Sequence, residues 1–593
     1  MEQNKRIPVI IGETGHRNIV EEDKPELKAR ITESLKSIRE MCKGKDNAED
    51  TPVIMLNSFA QGADMLCAEA AFELGIDVYA LLPCPKERYI ESFDNEEDKG
   101  KLFDYLDRAK RVIIAPDIER NKGWLKRNFD ISDSSYEYRQ LGIYMAEHCH
   151  ILLALWDGKP PKTQYGCGTA EVIEFALEHK FLDGDNLFKP GTINDTAVVW
   201  IKTRREGDGA PADIRAKWLT SNLADRKEGD GDKYSVSDNP PGFIEQIIAN
   251  TAEYNADKTC VPEGRVKLWK NVDELDEYRK NIRFHYAKAD EISYSKNQHP
   301  YTVMLLILAI LGTLVALTFL IYDDASLPYM IFPCTLVIGA IILLCYFGGK
   351  KGYHKKYIKY RAFAEALRIQ FYLSLSLKER EIITNVCDLY SWTQKVDMVW
   401  IDKALQSLSV ISASDKTKIS TDEVIDTGIG RNEKPTGQLR YHTHKRPQNL
   451  KKAQKFNRLS TVFQIATLVL YFCLFAIEIT AFVFKFKKAD FFWEGEIFNG
   501  LPWRNFGAII LGVTTIGSLL ITSYWGKLSF DRKADDNAKM VTFYASANER
   551  WREVRDLPYA DVERFLKEIA REEIVENGIW CSYVNENGLE INV

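Results

Sequence analysis

Two kinds of apolar pattern divide this chain. Up to about residue 205, short apolar runs alternate with stretches of helical spacing; beyond 300, the apolar runs are long. The short runs are Pro8–Gly12, Val53–Leu56, Val78–Leu82, Val112–Ala115, Ile151–Trp156 and Ala197–Ile201. Between them, Ile31, Leu35 and Ile38, then Ala63, Leu66, Ala70 and Ala71, recur at helical spacing. Strands separated by helices predict an α/β fold with a doubly wound parallel sheet, Rossmann-like in plan. In such sheets ligands bind at the carboxyl ends of the strands.

The long runs are Tyr301–Tyr322, Pro328–Gly348, Leu459–Phe484 and Phe506–Gly526, and Glu478 is their one charged residue. About 20 helical residues cross a ~30 Å hydrocarbon core, so each run predicts a transmembrane helix. A polar helix approaches the first pair from Glu274, and Tyr360–Arg368 opens a long amphipathic helix behind it. Asp535–Val554 follows the second pair in the same way, a repeat of pattern more than of residues. Glu206–Pro241, rich in Gly, Asp, Lys and Pro, and the charged stretch Ser412–Asn449 read as linkers. The predicted order is therefore a ligand-binding domain over 1–205 and a linker over 206–273. A two-span module over 274–411, a second linker over 412–449 and a second two-span module over 450–593 follow. The membrane region is all-α, with long helices on its polar side.

Composition narrows the class. The net charge of -6 gives no basic footprint for nucleic acid, and none is expected as a partner. Eleven scattered cysteines without a Cys-x-x-Cys pair fit reduced thiols. His148, Cys149 and His150, or His442 and His444, are the nearest approach to a metal site, but each lacks a second half, and no metal or cofactor is expected. No signal peptide precedes the first span, which must act as its own insertion signal. Lys350, Lys351, Lys355 and Lys356 follow the first pair of spans; Lys451, Lys452, Lys455 and Arg458 precede the second, and Lys527, Arg532 and Lys533 follow it. Positive flanks predict that both pairs start and end in the cytosol of an inner (plasma) membrane protein, although Lys485, Lys487, Lys488 and Arg504 oppose this.

Three loops carry candidate chemistry. The first is Gly12-Glu-Thr14-Gly15-His16-Arg17, in which glycines permit close approach, Thr14 offers a hydroxyl and Arg17 a phosphate fork. Ser58-x-x-Gln61-Gly62-Ala-Asp64 opens a helix that continues to Glu69. Trp156-Asp157-Gly158 leads to Gly166-Cys-Gly168-Thr169-Ala-Glu171 at another helix start. Tight turns need glycine in any case, but three such loops after three strands point to a ligand.

In this order, with Leu82-Pro83, Tyr89 and Phe93 between them, these motifs resemble the SLOG superfamily over roughly residues 5–205. The resemblance implies binding of a nucleotide-derived signal. Its enzymatic branch, the LOG-type phosphoribohydrolases, releases a base from a nucleoside monophosphate through a Gly-Gly-x-Gly-Thr-x-x-Glu motif. Here the first Gly position holds Tyr165 and the catalytic Glu position holds Val172, with Glu171 one residue early. Binding without turnover is therefore favoured, and no catalytic residue is assigned. The two-span unit, through Arg361-Ala-x-Ala-Glu-x-Leu-Arg368, resembles the SLATT modules of bacterial conflict systems. That resemblance implies an antiphage effector in which ligand binding gates a pore or membrane disruption by an oligomer. The alternatives are a membrane-anchored nucleotide or NAD hydrolase using Glu171 or Glu69, and a non-catalytic scaffold.

The spans add one pattern of their own. Ser460, Gln464, Thr467, Tyr471 and Glu478 fall within about 40° of one line on the third span, and Thr514, Ser518 and Thr522 form a stripe on the fourth. Such stripes either glue helices together or line a wet cavity.

Overall fold

The computed structural model describes residues 6–44, 49–161, 166–179, 194–207, 214–222, 233–259, 261, 268–325, 327–377, 385–412, 419–433, 436–483, 495–498 and 501–588. The chain forms two compact units, one of residues 1–260, 271–285 and 369–418, the other of 261–270, 286–368 and 419–593.

The first unit begins β1 (Val9–Gly15), α1 (Lys24–Met41), β2 (Val53–Asn57), α2 (Ala63–Glu73) and β3 (Asp77–Leu82). It continues α3 (Lys86–Tyr89), α4 (Glu96–Arg108), β4 (Arg111–Ile114), α5 (Glu119–Phe129), α6 (Asp133–His148), β5 (Ile151–Trp156), α7 (Thr169–Glu178) and β6 (Ala197–Lys202). These six strands are parallel, in the order β4-β3-β2-β1-β5-β6. Apart from the edge strand β4, where Val112 and Ile114 are exposed, their buried Val, Ile and Leu side chains read as continuous runs because helices cover both faces of a parallel sheet. The order reverses at β1, so the crevice between the carboxyl ends of β1 and β5 is the topological switch point.

The stretch expected as a linker continues the sheet. β7 (Ala216–Ser221) and β8 (Tyr234–Ser237) add antiparallel to β6, and α8 (Gly242–Ala256) follows. Trp218 and Leu219 are the residues β7 buries, too few to stand out in a Gly/Asp/Lys-rich sequence.

A second departure lies after the first pair of spans. α13 (Trp392–Asp397) and α14 (Val399–Ile411) belong to the α/β unit, not to the membrane module. The fully buried Lys403 of α14 donates to the carbonyls of Glu147 (3.1 Å) and Cys149 (2.9 Å) and to Thr196 Oγ1 (2.9 Å), with Asp195 Oδ2 3.4 Å away. Burial opposes the charge on Asp195, but His179 and Lys403 outweigh it and hold that carboxyl well below its usual range. Trp400 Nε1 donates to Thr251 Oγ1 (3.1 Å) and Ser407 Oγ to the Pro8 carbonyl (3.1 Å), so α14 is a working part of the sheet's covering layer.

The second unit is helical. α9 (Glu277–Glu291) passes through a π-helical turn at Ile292–Gln298 into α10 (His299–Asp324), followed by α11 (Ile331–Lys351) and α12 (Tyr353–Ser376). Of these, α9 belongs to the first unit up to His285, and α12 returns to that unit from Ile369. After α15 (Thr421–Gly428), α16 runs from Gly437 to Val483 as one 47-residue helix. The last part of the expected second linker is thus helix, as its Lys, Arg, Gln and Leu content favours. A short hairpin of β9 (Glu496–Phe498) and β10 (Leu501–Pro502) precedes α17 (Trp503–Leu528), α18 (Phe530–Val554) and α19 (Tyr559–Glu586). Four helices are long and apolar enough to cross a membrane, and they contain the four predicted spans. Phe484 and the lysines at 485, 487 and 488 lie outside the described residues.

The spans touch in the order α11, α10, α17, α16. α10 and α17 cross antiparallel through reciprocal glycines: a Cβ on Gly312 would meet Leu520 at 3.0 Å, and one on Gly512 would meet Leu320 at 2.5 Å. At one end Asn505 of α17 donates to the carbonyl of Asp324. At the other, Tyr301, Met304 and Leu305 pack with Tyr353 and Tyr524. Both hairpins therefore open toward the same side. Beyond that side, Arg368 Nε donates to Glu365 Oε2 (2.7 Å) and Nη1 to Glu573 Oε1 (3.4 Å), while Tyr544 OH donates to Glu573 Oε1 (2.6 Å).

Candidate functional site

β1 runs three residues further than its apolar run. Gly12–Gly15 pair with Leu152–Leu155 of β5, so Glu13, Thr14 and Gly15 are strand residues and the turn starts at His16. Alternation along the strand then sorts the side chains. Gly12 faces α6, where a Cβ would press on Met145 and Cys149. Glu13 and Gly15 face the other way, toward α2, and a Cβ on Gly15 would collide with Ala63. Gly62 is equally constrained: its φ is +87°, and a Cβ there would overlap the carbonyl of Arg17. The β1 turn and the start of α2 are therefore pressed together, and the Ala63 amide donates to the His16 carbonyl (3.2 Å).

This contact buries two carboxyls side by side. Glu13 is 3% exposed and Asp64 8%. Ser58 Oγ donates to Asp64 Oδ2, and Asn57 and Ser58 shape the turn by accepting from the amides of Phe59 (2.6 Å) and Ala60 (3.3 Å). Burial first, then the Asp64 charge, push Glu13 well above the usual carboxyl range. Burial likewise pushes Asp64 up to about 6, against the pull of Ser58 and Arg17. Among the described residues neither Glu13 oxygen has a well-formed hydrogen-bond partner, and the nearby Ser58 amide offsets the upward push only in part. Two carboxylates buried side by side disfavour double ionisation, which raises the affinity of the pair for a proton. Arg17 lies exposed at the mouth, its Nη2 donating to Tyr138 OH (2.9 Å), and the hydroxyl of buried Tyr89 faces the same cluster.

The third loop is locked from below. Glu171 accepts from Arg139 Nη1 (2.6 Å) and from the Cys167 amide (2.7 Å), which puts it three residues past the Gly168 cap and reaching back over it. Val172 is buried in the α6–α7 contact, where a Cβ on Gly142 would meet it at 2.9 Å. Gly166 and Gly168 bracket Cys167, whose φ is +50°; Gly168 has open space where its Cβ would be. Tyr165 lies outside the described residues. His16 ties this loop to the β5 turn. Its Nδ1 is 3.3 Å from Thr169 Oγ1, and its Nε2 accepts from the Asp157 amide (3.1 Å) and lies 3.3 Å from Asp157 Oδ1. Asp157 also receives the Lys159 amide (3.0 Å) and faces Arg205 Nε (3.0 Å), and Gly158 turns the chain at φ +82°.

Thus His16, Arg17, Ser58, Asp64, Asp157, Gly168 and Thr169 gather at the switch point, with Thr14 buried in β1 among them. Gln61 instead donates to Asp98 Oδ2 (2.9 Å). Glu69 is five residues past Asp64, on another face of α2, and is held by Lys28 Nζ (3.1 Å) and Tyr105 OH (2.9 Å). Glu13 has no place in the sequence-based set, because the run was expected to end at Gly12; alternation from Ile11 onward was the signal that would have placed it. The histidines near β5 serve the core: His150 Nδ1 accepts from the Ile10 amide (3.1 Å), and His148 stacks on Tyr144.

The membrane stripes also acquire partners. Ser460 Oγ and Thr522 Oγ1 lie 3.0 Å apart across α16 and α17, and Gln464 Nε2 donates to Ser460 Oγ (3.4 Å). Thr467 and Thr514 bond back to carbonyls of their own helices, and Ser518 is buried. Glu478 pairs with Arg504 Nε (2.7 Å) where α16 ends and α17 begins.

No curated protein matches this chain. Residues 286–375, which comprise α10, α11 and most of α12 with its Arg361–Arg368 motif, match a family described as "Protein of unknown function (DUF4231)".

Proposed function

We propose that this protein is a ligand-gated membrane effector, in which the α/β unit binds a nucleotide-derived signal and the four spans act on the bilayer. The observation that carries this reading is the switch-point crevice, where an exposed arginine stands before two buried carboxyls that lack a full countercharge. A nucleotide supplies what each part wants. Its phosphate meets Arg17 and the first amides of α7. Its ribose or base offers hydrogen-bond donors to Glu13 and Asp64. The amides of α2 are less suited to phosphate, because Ala63 is spent on His16 and Asp64 sits beside them.

For the membrane half, the described spans touch one another in a row, and permeation through such an arrangement calls for several copies. The basic flanks favour an inner-membrane protein with both termini in the cytosol, and the resemblance to SLOG and SLATT modules favours antiviral defence. Switching requires that the ligand bind the active state better than the resting one.

The test is a thermal shift of the full chain in detergent against cyclic oligonucleotides, ADP-ribose derivatives and nucleoside monophosphates. A true ligand at a hundredfold excess adds ~2.7 kcal/mol by mass action. It should be recovered unchanged, should trigger leakage from liposomes, and should lose its effect in Arg17→Ala. A panel without a single stabilising compound would sink the sensor. A second reading, hydrolysis, rests on the same carboxyl pair, since Glu69 and Glu171 are engaged elsewhere; release of free base would select it.

A further inference from the structure

On the side where both hairpins open, α16 arrives at its apolar stretch and α17 leaves its own. Phe456, Trp525 and Phe530 form an aromatic cluster there, with Phe456 stacked on Trp525 and Phe530 4.8 Å from it. Two ammonium groups share the Phe530 ring, Lys452 Nζ at 5.0 Å and Lys533 Nζ at 5.3 Å from its centre. Among the described residues neither has a carboxylate within ion-pair distance. The nearby acid Asp536 is taken by Arg532 (3.7 Å) and Lys539 (3.2 Å). The Trp525 Nε1–H is buried and has no acceptor. Like charges set side by side repel, and the half-buried Lys533 feels it: burial and then Lys452 push its ammonium down to about 8. Three donors without an acceptor among the described residues thus surround the Phe530 ring, in an aromatic cluster of the type that sits at membrane interfaces.

We propose that Lys452, Lys533 and Trp525 bind the phosphate of an anionic phospholipid headgroup. The acyl chains would lie along the flank of α16 that carries Lys452, where exposed Leu459 and half-buried Phe463 follow it at helical spacing. A lipid is the occupant because the site adjoins two spans and its donors stand at the polar end of their apolar stretches. The site depends on α16 and α17 crossing a bilayer, and not on what the α/β unit binds.

Native mass spectrometry of the full chain, extracted from vesicles of equal phosphatidylglycerol and phosphatidylcholine, tests this directly. Wild type should retain phosphatidylglycerol preferentially. K452Q/K533Q should lose that preference by roughly 25-fold, about fivefold for each lysine near an anionic surface. K452R/K533R should keep it, which separates charge from folding. Equal retention by K452Q/K533Q, or no preference in wild type, would overturn the assignment. So would displacement of the lipid by inorganic phosphate, which would make this a site for a soluble anion.

Discussion

The two units each bury a cluster of ionisable groups, and the clusters differ in whether their charges are compensated. Around Arg368, the acids it touches are paired: Glu365 and Glu573 accept from it, and Tyr544 adds a donor to Glu573. Burial opposes the charge on Glu365, yet Arg361 and Arg368 outweigh it and draw that carboxyl down to about 2. The excess acid of the neighbourhood falls on Glu576, which burial and Glu365 push up to about 7. At Glu13 and Asp64, by contrast, the cation that acts on Asp64 is the exposed Arg17. A paired cluster holds helices together. An under-paired one is a poor way to stabilise a fold and a good way to receive a ligand.

Removing one partner should therefore have opposite consequences in the two places. Arg368→Ala leaves Glu365 with Arg361 alone, and Glu573 with Tyr544 and no cation within ion-pair distance among the described residues. Loss of one member of such a buried network costs on the order of 3–5 kcal/mol. Thermal unfolding of the full chain in detergent should show the largest drop of any substitution considered. A shift within that of a surface control would mean the network is solvated.

Glu13→Gln should instead stabilise, by ~1–2 kcal/mol at pH 7.5, because the amide donates to Asp64 without the proton uptake that a buried carboxyl needs there. The pH dependence gives the sharper contrast. Carboxyls raised by burial contribute stability that is present below their unfolded values near 4 and lost as pH rises through 6 and beyond, so this pair weakens the wild type between pH 5 and 7.5. Glu365, lowered, has the reverse sign: its contribution is present above about 4.5 and disappears toward 2. The difference in melting temperature between Glu13→Gln and wild type should grow with pH across 5 to 7.5. A constant difference would show that the two carboxyls do not share a proton.

The same contrast explains what could be read from the sequence. Apolar runs carry their own signal, so β5 and the four spans fall where hydropathy places them. Pairing carries none. Glu171 looks like a ligand residue by position, yet Arg139, 32 residues away, makes it a clamp. Lys403 reads as an ordinary helix lysine, and only the folded α/β unit shows that 149, 195 and 196 wait for it. Glu13 was hidden because glycine at 12 looked like the end of a strand when it is a close contact inside one.

The smallest effect separates the two meanings of the polar stripes. Ser460 and Thr522 meet across α16 and α17, which is what glue requires, whereas a lining would leave their hydroxyls to water. A double-mutant cycle of Ser460→Ala and Thr522→Val in detergent should give a coupling of ~0.6 kcal/mol, the usual size for hydrogen bonds between spans. If ligand-triggered leakage occurs, both variants should conserve its ion selectivity, because the pair joins two helices of one copy. A coupling near zero together with altered selectivity would turn the stripe into a wall of the pathway. In that case α17 would have to present one face to α10 and the other to water, and the glycine contacts of Gly312 and Gly512 would be the seam that keeps it in place.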